Sequence, residues 1–185
     1  SINRVFSSIR GFHSFLINTN KSNINPSKFL ESPKIVKKIP GVLTVKEIEL
    51  LLSKIDKTKK FGKRDMAIIC MLYSSGLRVS EIINLKLVNL IEKEDLIRVI
   101  GKGDRERIIP IGKKLLNHLN DYLENERSKV ARLGLSSGIL FLNNRGKNLS
   151  RMGIWNIVRK YTNMAGFLKK VSPHTLRHSF ATHLL

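Results

Sequence analysis

His174 and Arg177 stand three residues apart in the closing segment SPHTLRHSFATHLL, Ser172 to Leu185. That spacing puts their side chains on one helical face. Ser172 reads as the N-cap and Pro173 as the first helical residue. Both cations then lie near a helix N-terminus, where the macrodipole disfavours positive charge. A bound anion reverses the penalty, because free backbone N–H groups and the two side chains converge on it. An arginine fork matches phosphate oxygens, whereas a lysine acts as a point charge. A pair of solvated surface cations is the plainer alternative, and the helix alone does not decide between them. His174 and His178 are spaced i, i+4 as in a metal pair. The Glu of H-E-x-x-H is missing, however, and no Cys or carboxylate cluster supplies further ligands.

Two more stretches carry comparable chemistry. In SSGLRVSEI, Arg78 follows Gly76 at a break between two helices, and Glu81 is spaced to hold it or to cap the backbone. Alone, this is an ordinary helix junction. In GKGDRER, Gly101 and Gly103 flank Lys102 at what reads as a hairpin tip. Paired glycines let a backbone approach a ligand closely, and a lysine there can reach into a groove. A turn with a solvated lysine fits equally, and no phosphate-loop pattern GxxxxGK[ST] is present.

The elements that would position these residues are mostly helical. Ile2, Val5, Phe6, Ile9, Phe12 and Leu16 recur at helical spacing, a stripe wide enough to need partner helices. A polar stretch and ESPKIVKKIPG follow, bracketed by Pro33 and Pro40, and proline at both ends reads as an extended basic linker over 33–42. Thr44 and Glu47 form a capping box, with Leu43 and Ile48 as its staple. Val45, Ile48, Leu52 and Ile55 are the expected buried face of the helix it starts. RDMAIICMLYSSGLRVSEIINLKL gives two helices broken at Gly76. DLIRVIGKGDRERIIPIG changes to β-branched alternation and reads as a hairpin. Leu115, Leu116, Leu119, Tyr122 and Leu123 mark a long helix, and ILFLNNRGK a short strand with a turn. Ser150 caps a helix carrying Ile154, Ile157, Val158 and Tyr161. In the last helix Leu176, Phe180 and Leu184 are expected to face the core. The class is α+β, a mostly helical domain with a small antiparallel sheet.

Composition narrows the partner. The chain has 185 residues, 42% hydrophobic, which suits a globular domain with a core. Lys and Arg number 34 against 14 Asp and Glu, a formal net charge of +20. Self-repulsion on that scale disfavours compaction, so a polyanion is the expected partner: nucleic acid first, an anionic membrane surface second. Cys70, the single cysteine, lies in an apolar run and reads as a core residue in a reducing compartment. No stretch reaches the ~18 apolar residues of a membrane span, and no signal-like segment opens the chain. A cytoplasmic location is expected.

Taken together, SGLRVSEI, GKGDRERIIPI and SPHTLRHSFATHLL, in this order and spacing, closely resemble the tyrosine recombinases, specifically the bacterial Xer-type recombinases. The resemblance implies the DNA breaking-rejoining fold over residues 43–185, with residues 1–32 as the end of a core-binding domain. It implies double-stranded DNA as partner and attack of a tyrosine on a phosphodiester, giving a 3′-phosphotyrosyl link, with no metal or nucleotide cofactor. Arg78 and Arg177 would clamp the scissile phosphate, Lys102 would protonate the leaving 5′ oxygen, and His174 would assist proton transfer. His178 would be a structural hydrogen-bonding residue beside them. Softer DNA contacts are expected from Lys34, Lys37 and Lys38 in the linker and from Arg145, Lys147 and Arg151 before the Ser150-capped helix. The family works as a tetramer on paired sites, and the Xer likeness points to chromosome-dimer resolution. A mobile-element integrase is the alternative within the family, a type IB topoisomerase a poorer match, and a non-catalytic DNA-binding module the alternative from another class. In the family the nucleophile lies a few dozen residues beyond the RHSFATHLL segment. Tyr73, Tyr122 and Tyr161 sit in helical apolar patterns instead and match no nucleophile position. The expectation is therefore a fragment, truncated at both ends and inactive as given.

Overall fold

The computed structural model describes residues 2–30, 41–101, 105–136 and 138–184. The chain divides into two compact units, Ser1–Ile39 and Pro40–Leu185. In the first, α1 (Ile2–Asn18) is followed by a 3₁₀ turn, Pro26–Phe29, whose N-cap Asn25 accepts from the Ser27 amide. Arg10 ties the two together by donating to the Leu30 carbonyl at 2.7 Å. Of the stripe, Ile2, Val5, Ile9 and Phe12 are exposed while Phe6 and Leu16 are half-buried, so most of it is left uncovered by the described residues of this unit.

The second unit runs α2 (Val45–Ser53), α3 (Gly62–Ser74), α4 (Val79–Asn84), β1 (Leu90–Ile91), β2 (Leu96–Ile100), β3 (Glu106–Pro110), α5 (Lys113–Tyr122), α6 (Ser128–Val130), α7 (Arg151–Met164) and α8 (Pro173–His183). It is the expected helical domain with a small antiparallel sheet, in the order β1-β2-β3. Helix α3 is its centre, buried without a break from Arg64 to Leu72 and packed against α5 and α8. A helix apolar on most sides must be enclosed in this way. Cys70 lies inside that run, and burial pushes its thiol up to about 11. No helix among the described residues is long and apolar enough to cross a membrane.

The caps form where the local chemistry puts them. Thr44 and Glu47 cap each other's backbone, and Ser150 and Ser172 accept from the amides of Gly153 and Thr175. Long-range packing changes several other expectations. Val45 is 52% exposed, because the first turn of α2 projects past the core that Ile48 and Leu51 enter. Leu184 is 70% exposed, while Leu176 and the hydroxyl-bearing Ser179 take the buried face of α8. The Leu43 amide donates to Ser179 Oγ at 2.8 Å, which explains the buried serine. The stretch 139–147 forms two isolated bridges, Lys86↔Ile139 and Leu142↔Asn148, in place of a strand. Helix α5 continues through a π-helical turn, Leu123–Arg127, into α6.

Two contacts set where the basic side chains stand. Gly76 adopts φ +58° between α3 and α4, and a Cβ on it would lie 2.7 Å from the Phe180 ring of α8. Glycine alone permits both the turn and the approach. In the hairpin, Val99 pairs with Arg107 and Ile100 with Glu106. Ile97 and Val99 point inward, so Arg107 faces the same side as the buried Val99.

Candidate active site

Arg78 is the N-cap residue of α4, in extended conformation. The turn at Gly76 delivers it there. Glu81, one turn further on, reaches back: its Oε2 accepts the Arg78 amide at 2.7 Å and its Oε1 accepts Arg78 Nη1 at 3.0 Å. The Glu81 side chain is only 5% exposed. Arg107 enters from β3 and donates Nη1 to Oε1 at 3.0 Å and Nη2 to Oε2 at 2.8 Å. Arg177 arrives from α8, its Nη1 lying 4.0 Å from Oε2. The Phe180–Gly76 contact is what brings α8 this close to the junction carrying Arg78. Three guanidinium groups from three elements therefore gather on one buried carboxylate.

The charges are unbalanced. Three cations against one anion leave a surplus of two positive charges. Burial alone pushes the Glu81 carboxyl up. The hydrogen bonds from Arg107 and from the Arg78 amide and side chain outweigh that, and its pKa falls below the usual glutamate range. Burial and then the neighbouring Arg78 pull Arg177 below its ordinary value, with Glu81 offsetting part of the effect. Arg177 stays protonated all the same. Its Nη1 is buried and has no hydrogen-bond partner among the described residues. Such a group is expensive to leave unmatched, and an anion would match it.

Two separate shallow concavities border this cluster. His174, Arg177 and His178 line one of them with Ser172, Thr175 and Ala181. Arg78, Glu81, Ser80 and Asn84 line another, with Ile100 and Gly101 at the end of β2. The hairpin thus leaves the sheet beside Arg78, but Lys102 lies outside the described residues, as do Lys34, Lys37 and Lys38. Arg151 shares a further concavity with Ser80 and Asn84, so it adjoins the same face of α4. Arg145 and Lys147 are exposed on the preceding turn, where Asn143 Oδ1 accepts both of their amides, and they line neither concavity. Sequence reasoning passed over Arg107. The signal was its place in the alternation of β3, a cation on the inward face, which requires a buried acid.

None of the three tyrosines stands free. The Tyr122 hydroxyl donates to the Leu140 carbonyl and accepts from the Leu142 amide, and burial pushes it up to about 12. Tyr161 donates to Asp65 at 3.0 Å and is likewise raised, by burial first and then by Asp65. Tyr73 is hydrogen-bonded to His183 Nδ1 at 2.9 Å.

Comparison with known proteins identifies the family. Residues 41–185 match the model of the phage integrase family. The chain is 43% identical to tyrosine recombinase XerD of Staphylococcus haemolyticus over 187 residues, covering 100% of this chain and 62% of that protein. The chain thus spans about 62% of the length of the curated relatives it matches. Its fold matches a crystal structure of XerA recombinase with TM-score 0.70 and 28% identity, over 100% of this chain and 62% of that one. It also matches XerH site-specific recombinase bound to a palindromic difH substrate in a post-cleavage complex, with TM-score 0.76 and 26% identity, over 94% of this chain and 53% of that one. The chain belongs to the phage integrase family.

Proposed function

We propose that this chain carries the phosphate-activating centre of a site-specific recombinase that cuts and rejoins double-stranded DNA through a phosphotyrosine link. The observation that carries the reading is the convergence of Arg78 and Arg177 on Glu81, which leaves surplus positive charge and an unmatched Arg177 nitrogen beside a cleft. When a tyrosine oxygen bonds to phosphorus and the bond to the 5′ oxygen breaks, negative charge builds on the non-bridging oxygens. Fixed guanidinium groups stabilise that charge without reorganising. Lys102, which follows Gly101 in the sequence, gives its proton to the departing 5′ oxygen. His174, exposed on the first turn of α8, assists at the phosphate. A general acid of this kind is worth ~10²–10⁴ in rate. The proposed role is Xer-type chromosome-dimer resolution, with mobile-element integration as the alternative within the family, and assembly as a tetramer on paired sites in the cytoplasm.

The attacking tyrosine, on this reading, is none of Tyr73, Tyr122 and Tyr161, whose hydroxyls are engaged as described above. The 185 residues then bind and polarise a phosphodiester without forming the covalent link. The engagement of all three hydroxyls also favours a second reading, a DNA-binding module that does not cut.

Both parts are tested on a duplex carrying the recombination site of a XerD relative, nicked so that a cleaved strand diffuses away. No covalent adduct is expected, and an adduct mapped to any of the three tyrosines overturns the nucleophile assignment. Arg78→Ala and Arg177→Ala should each weaken binding about tenfold, and exposed Lys46→Ala about twofold or less. Equal losses from all three would mean the arginines act as diffuse charge and form no phosphate site.

A further inference from the structure

Arg107 has no part in the phosphate clamp proposed above, yet it makes the best-formed contact in the cluster. Its two terminal nitrogens meet the two oxygens of Glu81 at 3.0 and 2.8 Å. Glu81 has four lone-pair positions, as any carboxylate does. Arg107 takes two, and the side chain and amide of Arg78 take the other two. Arg177 is left 4.0 Å away with Nη1 unbonded. The carboxylate is full, and that keeps Arg177 from closing on it.

The path Arg107 takes across the hairpin points the same way. A Cβ on Gly101 would sit 3.0 Å from Arg107 Nη1. The Gly101 amide is already committed to the Arg105 carbonyl at 2.8 Å, so the strand cannot easily move aside. Gly101 is bare where the guanidinium passes.

We infer that Arg107 is a positioning residue of the anion site: by saturating Glu81 it fixes Arg78 and holds Arg177 available for a phosphate, and Gly101 is the gap through which it reaches. This rests on the phosphate reading above. Without Arg107, two lone pairs of Glu81 fall vacant and Arg177 moves in to fill them. Its buried nitrogen is then satisfied internally and no longer offered to a ligand. Lysine cannot substitute, because a single ammonium reaches the carboxylate without covering both oxygens.

The test follows the arginine side-chain Nε–Hε signals of the ¹⁵N-labelled chain by NMR, before and during titration with inorganic phosphate. In ligand-free Arg107→Gln and Arg107→Lys the Arg177 signal should shift as it pairs with Glu81. Phosphate affinity should fall about tenfold in Arg107→Gln, and Arg107→Lys should recover little of it. Gly101→Ala, which alters no charge, should move the Arg177 signal in the same direction. Added to Arg107→Gln it should cost nothing further. Wild-type affinity and an unmoved Arg177 signal in Arg107→Lys would overturn the inference and leave Arg107 as charge alone. So would additive losses in the double variant. Failure of the phosphate reading looks different: the wild-type Arg78 and Arg177 signals would ignore phosphate. The ligand-free Arg177 shift would still decide the role of Arg107, and no shift there refutes it. Because Gly101→Ala is the mildest change, it keeps the test open should a substitution at Arg107 disturb folding.

Discussion

Taking a carboxylate out of water costs several kcal/mol unless hydrogen bonds replace the lost solvent. Glu81 recovers that cost from two arginines and a backbone amide. The same bonds make its protonation a lever on stability. In the folded chain Glu81 holds its proton less tightly than in the unfolded chain, so across the acid range the unfolded chain binds more protons and stability rises with pH. The contribution is complete above the unfolded value of about 4.3 and is lost as pH falls through the lower folded value. Glu81→Gln should therefore destabilise the chain by about 2 kcal/mol at pH 7, a figure discounted because its arginine partners are partly water-screened. Urea unfolding of the two proteins between pH 3 and pH 7 should show the gap closing toward the acid end. A gap that stays constant with pH would mean the carboxylate's charge contributes nothing.

Among the elements, α8 is seated partly by two contacts with sequence-distant chain: Phe180 against Gly76, and Ser179 beneath the Leu43 amide. Gly76→Ala imposes a left-handed conformation on a residue with a Cβ and drives that Cβ into the Phe180 ring. Strain of ~1–2 kcal/mol and overpacking of ~1–3 kcal/mol add in the same direction. We expect a loss of about 3 kcal/mol in urea unfolding, with weakened anion binding because Arg78 and Arg177 are pushed apart. A neutral Gly76→Ala would show that the α3–α4 junction does not set the spacing of the site. These contacts also show where sequence reading stops. The caps at Thr44, Ser150 and Ser172 were legible because a cap and its amide lie three residues apart. The break at Gly76 and the hairpin at 96–110 were legible from glycine placement and a change of period. Val45 and Leu184 were misread as core because periodicity says which residues share a face and not how far along a helix the core extends. The Glu81–Arg107 pairing spans 26 residues and depends on the register of β2 against β3, which spacing alone does not supply.

Over the whole chain, the arginine cluster accounts for a surplus of two charges out of a formal net charge of +20. Nearly all of the excess lies elsewhere, and on the proposed reading it has a separate task. In that reading the pocket would hold one phosphate through short hydrogen bonds, whereas the diffuse excess would attract any duplex and release its counterions. The two contributions separate by their response to salt. Each phosphate neutralised adds about 0.9 to the slope of log affinity against log salt. Replacing Arg145, Lys147 and Arg151 together by alanine should lower that slope by about 2 to 3 on a random duplex, if each faces a phosphate as the sequence leads one to expect. Arg177→Ala should lower it by about 1 at most, because one side chain meets one phosphate. Fluorescence anisotropy at 50 to 300 mM salt reads both. A triple variant with the parent slope would remove those three residues from the DNA face. A steep loss from Arg177→Ala alone would mean that the pocket carries the electrostatic attachment as well, and the separation of tasks would fail.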